Sequence, residues 1–147
     1  MSNQYCTFRI ADMLLGVDVL KVQEILQYQA MTEVPLAHSV VRGLVNLRGQ
    51  IVTAIDLHER LGLAASEDSE ADPINIVLCT EGGAVSLLVD AIGDVLTVPE
   101  ELDEPPPPTL DAHIRELLVK VCKLEGELLL VLDAERTVEL LPTTQAK

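Results

Sequence analysis

A mainly β fold built as two small barrels is the architecture this sequence predicts, and three observations point to it. Val, Ile and Leu occur in short runs of strand length, each bounded by Gly, Pro or Asp. Aromatic residues make up only 2% of the chain against 48% hydrophobic residues overall, so the core must be built from branched aliphatics, which suit pleated surfaces. The chain also repeats itself. Leu47-Arg48-Gly49 stands ahead of Asp56 as Leu124-Glu125-Gly126 stands ahead of Asp133, and Val17-Asp18 before Val19-Leu20-Lys21-Val22 echoes Val89-Asp90 before Ala91-Ile92-Gly93-Asp94. A similarity spanning about half the chain implies a duplicated unit, with one antiparallel barrel in each half and each copy shielding the other's apolar face.

Taken in order, Tyr5 to Ile10 alternates as a half-buried strand, with Cys6, Phe8 and Ile10 on the inner face. Leu14 to Val17 runs back, and Asp18 caps a short helix in which Val19, Val22 and Ile25 recur at three-residue spacing while Lys21 and Glu24 face outward. Leu26 to Val34 returns to strand character until Pro35, and Ala37-His38-Ser39 leads to the central hairpin. That hairpin joins Leu44–Leu47 to Ile51–Ile55 through Arg48-Gly49-Gln50; Asp56 then caps a helix that Gly62 stops. Ala64 to Pro73 carries four acidic residues with little to bury and reads as a linker.

In the second half, Ile74–Thr80 and Ala84–Asp90 flank the turn Glu81-Gly82-Gly83, followed by a helical turn over Ala91–Asp94 and an extended Val95–Val98. Pro99 to Pro108 is expected to be a stiff surface connector that joins no sheet. Leu117–Leu124 and Glu127–Leu132 form the last hairpin, and Asp133 opens a C-terminal helix running to Leu141. The whole reads as one domain over residues 1–147, with lobe one at about 14–66, lobe two at about 74–132, and the N-terminal strand and C-terminal helix packing across both.

A formal net charge of −14 disfavours partners held by phosphate neutralisation, so nucleic acid and anionic membrane are poor fits. No apolar run reaches bilayer length, and MSNQYCTFRI is no signal peptide, which suggests a soluble cytoplasmic protein. Cys6, Cys79 and Cys122 are odd in number and lie inside apolar patterns, as small buried hydrophobes in a reducing compartment do.

Catalytic signatures are not met. His38, His58 and His113 are far apart, and His58-Glu59 begins like a zinc-protease helix but meets Gly62 where the second histidine belongs. Neither a phosphate-binding glycine loop nor a G-x-S-x-G elbow occurs. Asp18, Asp56, Asp90 and Asp133 each stand at a strand-to-helix junction, where capping accounts for them. Neither a metal nor a cofactor is therefore expected, and binding other proteins is the default task. A small acidic hydrolase is the rival reading, which a cleft of converging carboxylates would favour.

Arg42-Gly43-Leu44-Val45-Asn46-Leu47-Arg48-Gly49-Gln50-Ile51-Val52 followed by Ile55-Asp56-Leu57 resembles the signature of the CheW family of chemotaxis coupling proteins. Val22-Gln23-Glu24-Ile25, Val34-Pro35 and Leu88-Val89-Asp90-Ala91-Ile92 with Asp94-Val95 match further family strings in the right order. Thr53-Ala54 departs from the usual Pro-Val, and the acidic proline-rich loop is longer in proline than the pattern. The resemblance implies two SH3-like five-stranded β-barrel subdomains packed on a shared core, with short helices including a C-terminal one. It implies an adaptor joining the cytoplasmic tip of a chemoreceptor to the regulatory domain of a CheA-type histidine kinase, recruited to membrane-associated receptor arrays without inserting. The same fold also serves coupling proteins of pathways for pili, surface sensing or development.

Partner-binding candidates are Arg48 at the hairpin tip, Glu24 on the V-Q-E-I segment, Arg42 and Gly43 by family position, and Val22, Ile92 and Val95 for a groove between lobes. Each has a structural alternative: an internal bridge from Arg48 to Glu59 or Asp56, plain solvation for Glu24, core packing for the three apolar residues. Asn46 and Gly49 shape the turn, and Asp56, Asp90 and Asp133 belong to the structural motif.

Overall fold

A computed structural model describes residues 2–27, 30–34, 40–63 and 73–139. Strands β1 (Ser2–Ile10) and β2 (Met13–Asp18) form a first hairpin, and a 3-10 turn over Val19–Lys21 leads into β3 (Val22–Leu26). The hairpin β4 (Val41–Leu47) and β5 (Gln50–Asp56) is followed by helix α1 (Leu57–Arg60). A third hairpin, β6 (Ile74–Thr80) and β7 (Gly83–Val89), runs into β8 (Ala91–Pro99), a second 3-10 turn and the two-residue β9 (Asp103–Glu104). Helix α2 (Ala112–Arg115), the hairpin β10 (Leu118–Leu124) and β11 (Glu127–Leu132), and α3 (Ala134–Thr137) complete the chain.

These strands make two sheets, β8-β1-β2-β11-β10-β9 and β3-β6-β7-β5-β4. The predicted repeat is visible in the order: β8, β1, β2, β11 and β10 stand where β3, β6, β7, β5 and β4 stand in the other sheet. Each set follows one rule. An edge strand continues past its own sheet edge and pairs with the far edge, β9 with β10 in one case and Thr32 with Leu44 of β4 in the other, completing a five-stranded ring whose first strand is broken.

The rings do not divide the chain at the expected lobe boundary. After Asp18 the chain leaves the ring containing β1 and β2 to give β3 to the other, and after Asp90 it crosses back to give β8. Each ring thus joins a hairpin from one repeat to three strands of the other, β1 and β2 with β8, β10 and β11, and β6 and β7 with β3, β4 and β5. Neither sheet is purely antiparallel, because β5 runs parallel to β7 and β2 parallel to β11. Strands so far apart in sequence need no tight turn and are free to align either way.

Apolar side chains sort into three clusters. One lies within the first ring (Tyr5, Leu14, Val98, Cys122, Leu129, Val131) and one within the second (Val45, Leu47, Val52, Ala54, Val77, Leu88). The largest lies between them and draws on both sheets and the helices, with Phe8, Ile10, Leu15, Ile55, Leu57, Leu61, Ile76, Leu78 and Leu87 fully buried. This is the shared core. It also corrects the expectation for β1, whose two faces are both covered: Tyr5 points into its own ring while Phe8 and Ile10 enter the shared core.

Other expectations change for local reasons. The Val22–Ile25 helix is a strand, since the 3-10 turn capped by Asp18 ends at Lys21 and β3 pairs with β6. The helical turn over Ala91–Asp94 is likewise strand, because β8 pairs with β1 from Arg9↔Ala91 to Ser2↔Pro99. The proline-rich segment does join a sheet, at Pro99 and at Asp103–Glu104, since its four consecutive prolines come only after Glu104. Cys79 is exposed, whereas Cys6 and Cys122 are buried, and all three are free thiols. Burial and the Asp103 carboxylate push the Cys122 thiol up to about 11, which keeps it protonated and unreactive at neutral pH. Most of the acidic linker, Pro35, Ala37-His38-Ser39, and the chain from 140 onward lie outside the described residues.

Candidate functional site

The β4–β5 turn is the mirror-image type in which both central residues take positive φ, here 53° at Arg48 and 87° at Gly49. Glycine adopts that geometry freely, but an arginine there costs of the order of 1 kcal/mol. Asn46 steadies the turn by accepting the Gly49 amide at 3.0 Å. The strained conformation aims the Arg48 side chain back toward β3. There Nη1 and Nη2 each donate to a different oxygen of Glu24 at 2.7 Å.

Arg48 and Glu24 thus form one forked pair and are not two separate features. The internal bridge weighed above for Arg48 is therefore formed, but to Glu24 and not to Glu59 or Asp56. The pair also joins the tip of the β4–β5 hairpin to the strand at the opposite edge of the same sheet. The Arg48 side chain remains 73% exposed, so in water the pair contributes little to folding. Its main effect is to fix the direction of the guanidinium. Ile25, beside Glu24, and Ile51, opposite Asn46, are exposed apolar neighbours.

The hydrogen bonds from Arg48 hold the Glu24 carboxyl below its ordinary value of 4.5. A carboxylate with a depressed native pKa contributes stability above the unfolded value, and that contribution is lost as pH falls through the native one. In a carbon-detected NMR titration, the Glu24 midpoint is expected to lie below the ordinary glutamate value and to rise toward it in Arg48→Ala. Identical midpoints in the two proteins would show that the fork is not formed in solution.

Arg42 donates from Nη1 to Asp56 Oδ2 at 2.7 Å, while Oδ1 of the same carboxylate caps α1 through the amides of His58 and Glu59. Gly43 lies where the edge chain closes the ring: a Cβ there would stand 2.7 Å from the Thr32 carbonyl oxygen. Asp133 caps α3 through the Arg136 amide. Val22 and Ile92 are half-buried against the shared core, whereas Val95 is 52% exposed. Val95 is therefore the one of the three whose side chain offers surface.

Asp90 is not a helix cap. It stands at the crossover between the rings, accepts the Ala11 amide at 2.8 Å, and receives His58 Nε2 at 2.8 Å. One carboxylate thereby ties the β1–β2 turn of one ring to α1 of the other. Because His58 is buried and its Nδ1 has no hydrogen-bond partner among the described residues, losing the second ring contact leaves the imidazole wholly unsatisfied. Asp90→Ala is expected to lower the unfolding free energy by about 2 kcal/mol in urea titration, and a change within error would make the tie dispensable.

Arg60 was not anticipated. It is buried, donates to the Thr137 and Arg136 carbonyl oxygens of α3, and its own carbonyl meets His113 Nε2 at 2.9 Å. Burial holds its pKa below the ordinary value. In sequence it was one more charge on a short helix, and only the packing of the two repeat helices end to end reveals its partners.

Twin SH3-like rings on one core, one of them carrying an exposed cation fixed at a hairpin tip, place the chain among small two-ring β proteins. Among the described residues no group of three or more His, Cys, Asp or Glu side chains is placed to hold a metal ion, and no helix is long and apolar enough to cross a membrane. The CheW-like domain model matches residues 4–141. A Chemotaxis protein CheW from Rhizobium meliloti is 32% identical over 133 residues, covering 90% of this chain and 85% of that one. The Treponema pallidum Chemotaxis protein CheW is 29% identical, covering 90% and 80%. The crystal structure of the scaffolding protein TtCheW from Thermoanaerobacter tengcongensis superposes with a TM-score of 0.80 at 28% identity, covering 90% of this chain and 85% of that one. The chain belongs to the CheW-like family.

Proposed function

We propose that this chain is a non-enzymatic adaptor that couples the cytoplasmic tip of a chemoreceptor to the regulatory domain of a CheA-type histidine kinase. The observation that carries the reading is the Arg48–Glu24 fork. A residue that strains its backbone is kept at an exposed tip where Asn or Gly would stabilise the turn better, so the side chain itself is what the position needs. Family membership supplies the class of partner.

An adaptor of this kind needs two surfaces on one rigid body, each binding its partner with a free energy that differs between signalling states. The two rings supply the two surfaces, and the shared core with the Asp90 tie supplies the rigidity. In this reading Arg48, Glu24 and Arg42 form the polar part of one face, while Val95, with Val22 and Ile92 beneath it, forms the apolar floor of the cleft where a receptor helix docks. Gly43 acts through the shape of the ring and makes no contact with a partner.

Reconstitution tests this directly. The purified chain, a CheA-type kinase and receptor-bearing membranes are mixed in all combinations, and kinase autophosphorylation is followed with ATP. Kinase is expected to sediment with membranes, and to be activated, only when all three are present. Activation that is the same without the chain would sink the proposal.

A further inference from the structure

We infer that the groove between the β6–β7 turn, the start of β5 and helix α3 is a docking surface for a basic segment of another protein, one carrying apolar residues between its cations. The groove encloses about 670 Å³, and its lining includes Ile51, Thr53, Val85, Glu81, Glu135 and Glu139. Its lining includes neither member of the Arg48–Glu24 pair nor the interlobe residues and borders that site only at Gln50 and Ile51, so it is a further surface beyond the proposed adaptor contacts.

Its floor follows from the topology. The parallel pairing of β5 with β7 sets Thr53 against Val85, and Ile51 extends the same strand toward the hairpin tip with 59% of its surface exposed. A large aliphatic left this open beside buried neighbours is a place for an apolar side chain from outside. Gly82 and Gly83 form one wall with open space where side chains would stand, which gives a partner backbone room to approach.

The rim determines the kind of partner. Among the described residues three glutamates line the groove, and no Lys or Arg does. Glu135 is partly engaged, accepting the Glu81 amide and lying 3.6 Å from Lys21, but neither Glu81 nor Glu139 forms an ion pair among the described residues. Two carboxylates without a close ion pair, of which Glu139 also feels the buried Arg60 guanidinium, stand above an apolar floor, select for cations flanking an aliphatic residue and repel an acidic segment. The net charge of −14 adds attraction for such a segment at long range.

The test uses the full chain labelled with nitrogen-15 and titrated with a short peptide of alternating Lys and Leu, with a Glu–Leu peptide as the control. Amide shifts are expected at Gln50, Ile51, Gly82, Gly83 and Ala84 with the first peptide and not with the second. Glu81→Lys with Glu139→Lys is expected to weaken binding roughly tenfold, whereas Glu100→Lys with Glu101→Lys, an equal change of net charge elsewhere on the surface, leaves it nearly unchanged. All four glutamates are exposed, so both variants are expected to melt like the parent. Arg48→Glu retains peptide binding if the groove acts independently, which separates this inference from the adaptor reading. Equal losses in the two Lys variants, shifts centred outside the groove, or binding of the Glu–Leu peptide would each overturn it. So would a concentration-dependent dimer that buries the groove, since its occupant would then be a second copy.

Discussion

Arg48→Glu is expected to leave the chain folded and to abolish its co-sedimentation with receptor and kinase. The side chain is largely exposed, and its pair with Glu24 is screened by water, so the unfolding free energy is expected to stay within about 1 kcal/mol of the parent. The effect on binding is much larger. Losing a directed cation at an interface commonly costs about 2 kcal/mol or more, a weakening of roughly thirtyfold, and here a carboxylate replaces it beside Glu24. Arg48→Gly refines the result, because glycine relieves the left-handed backbone while deleting the fork. That variant is expected to fold at least as well as the parent and still to bind poorly. An Arg48→Glu chain that unfolds, or one that binds normally, would return the residue to a structural role.

Gly43→Ala is expected to act the other way round, on the fold first and on binding only through it. The added methyl would meet a backbone carbonyl at 2.7 Å, at the bridge between Thr32 and Leu44 that completes the second ring. Backbone in a ladder cannot swing aside as the end of a side chain can, so the edge chain must move. Overpacking of this kind typically costs about 1–3 kcal/mol, measurable as a lower urea midpoint with unchanged slope. If Gly43→Ala melts like the parent yet loses a partner, the glycine is a contact residue and its assignment to ring closure is wrong.

How much of this was legible in the sequence depended on how local each signal was. The hairpins at Arg48, Gly82 and Gly126, the caps Asp18, Asp56 and Asp133, and the helix stop at Gly62 are set by neighbours in sequence, and all lie where the pattern puts them. The repeat was legible too, from the two spaced Leu-x-Gly to Asp motifs. The exchange of the hairpins β1–β2 and β6–β7 between rings was not, because a strand looks the same whichever sheet receives it. Asp90 was misread for that reason: Val89-Asp90 copies Val17-Asp18, but its carboxylate turns to Ala11 and His58 at the crossover and caps no helix. Arg48 and Glu24 were each singled out, yet their pairing depends on β3 and β4 lying at opposite edges of a sheet that curls on itself, which no periodicity encodes.

The reciprocal exchange of the hairpins β1–β2 and β6–β7 bears on how the molecule comes into being. A nascent chain ending at Leu63 has made β1 to β5 but lacks the strands beside which β2, β3 and β5 must lie, and a chain starting at Pro73 lacks β1 and β2. Neither half is therefore expected to be a folding unit by itself. Made as two pieces in one cell, however, they are expected to find each other and rebuild both rings, each stabilising the other as a tightly bound ligand stabilises its host. Duplication has in this way left one cooperative body in place of two independent modules, and a strain at either ring is felt by the other through the core they share.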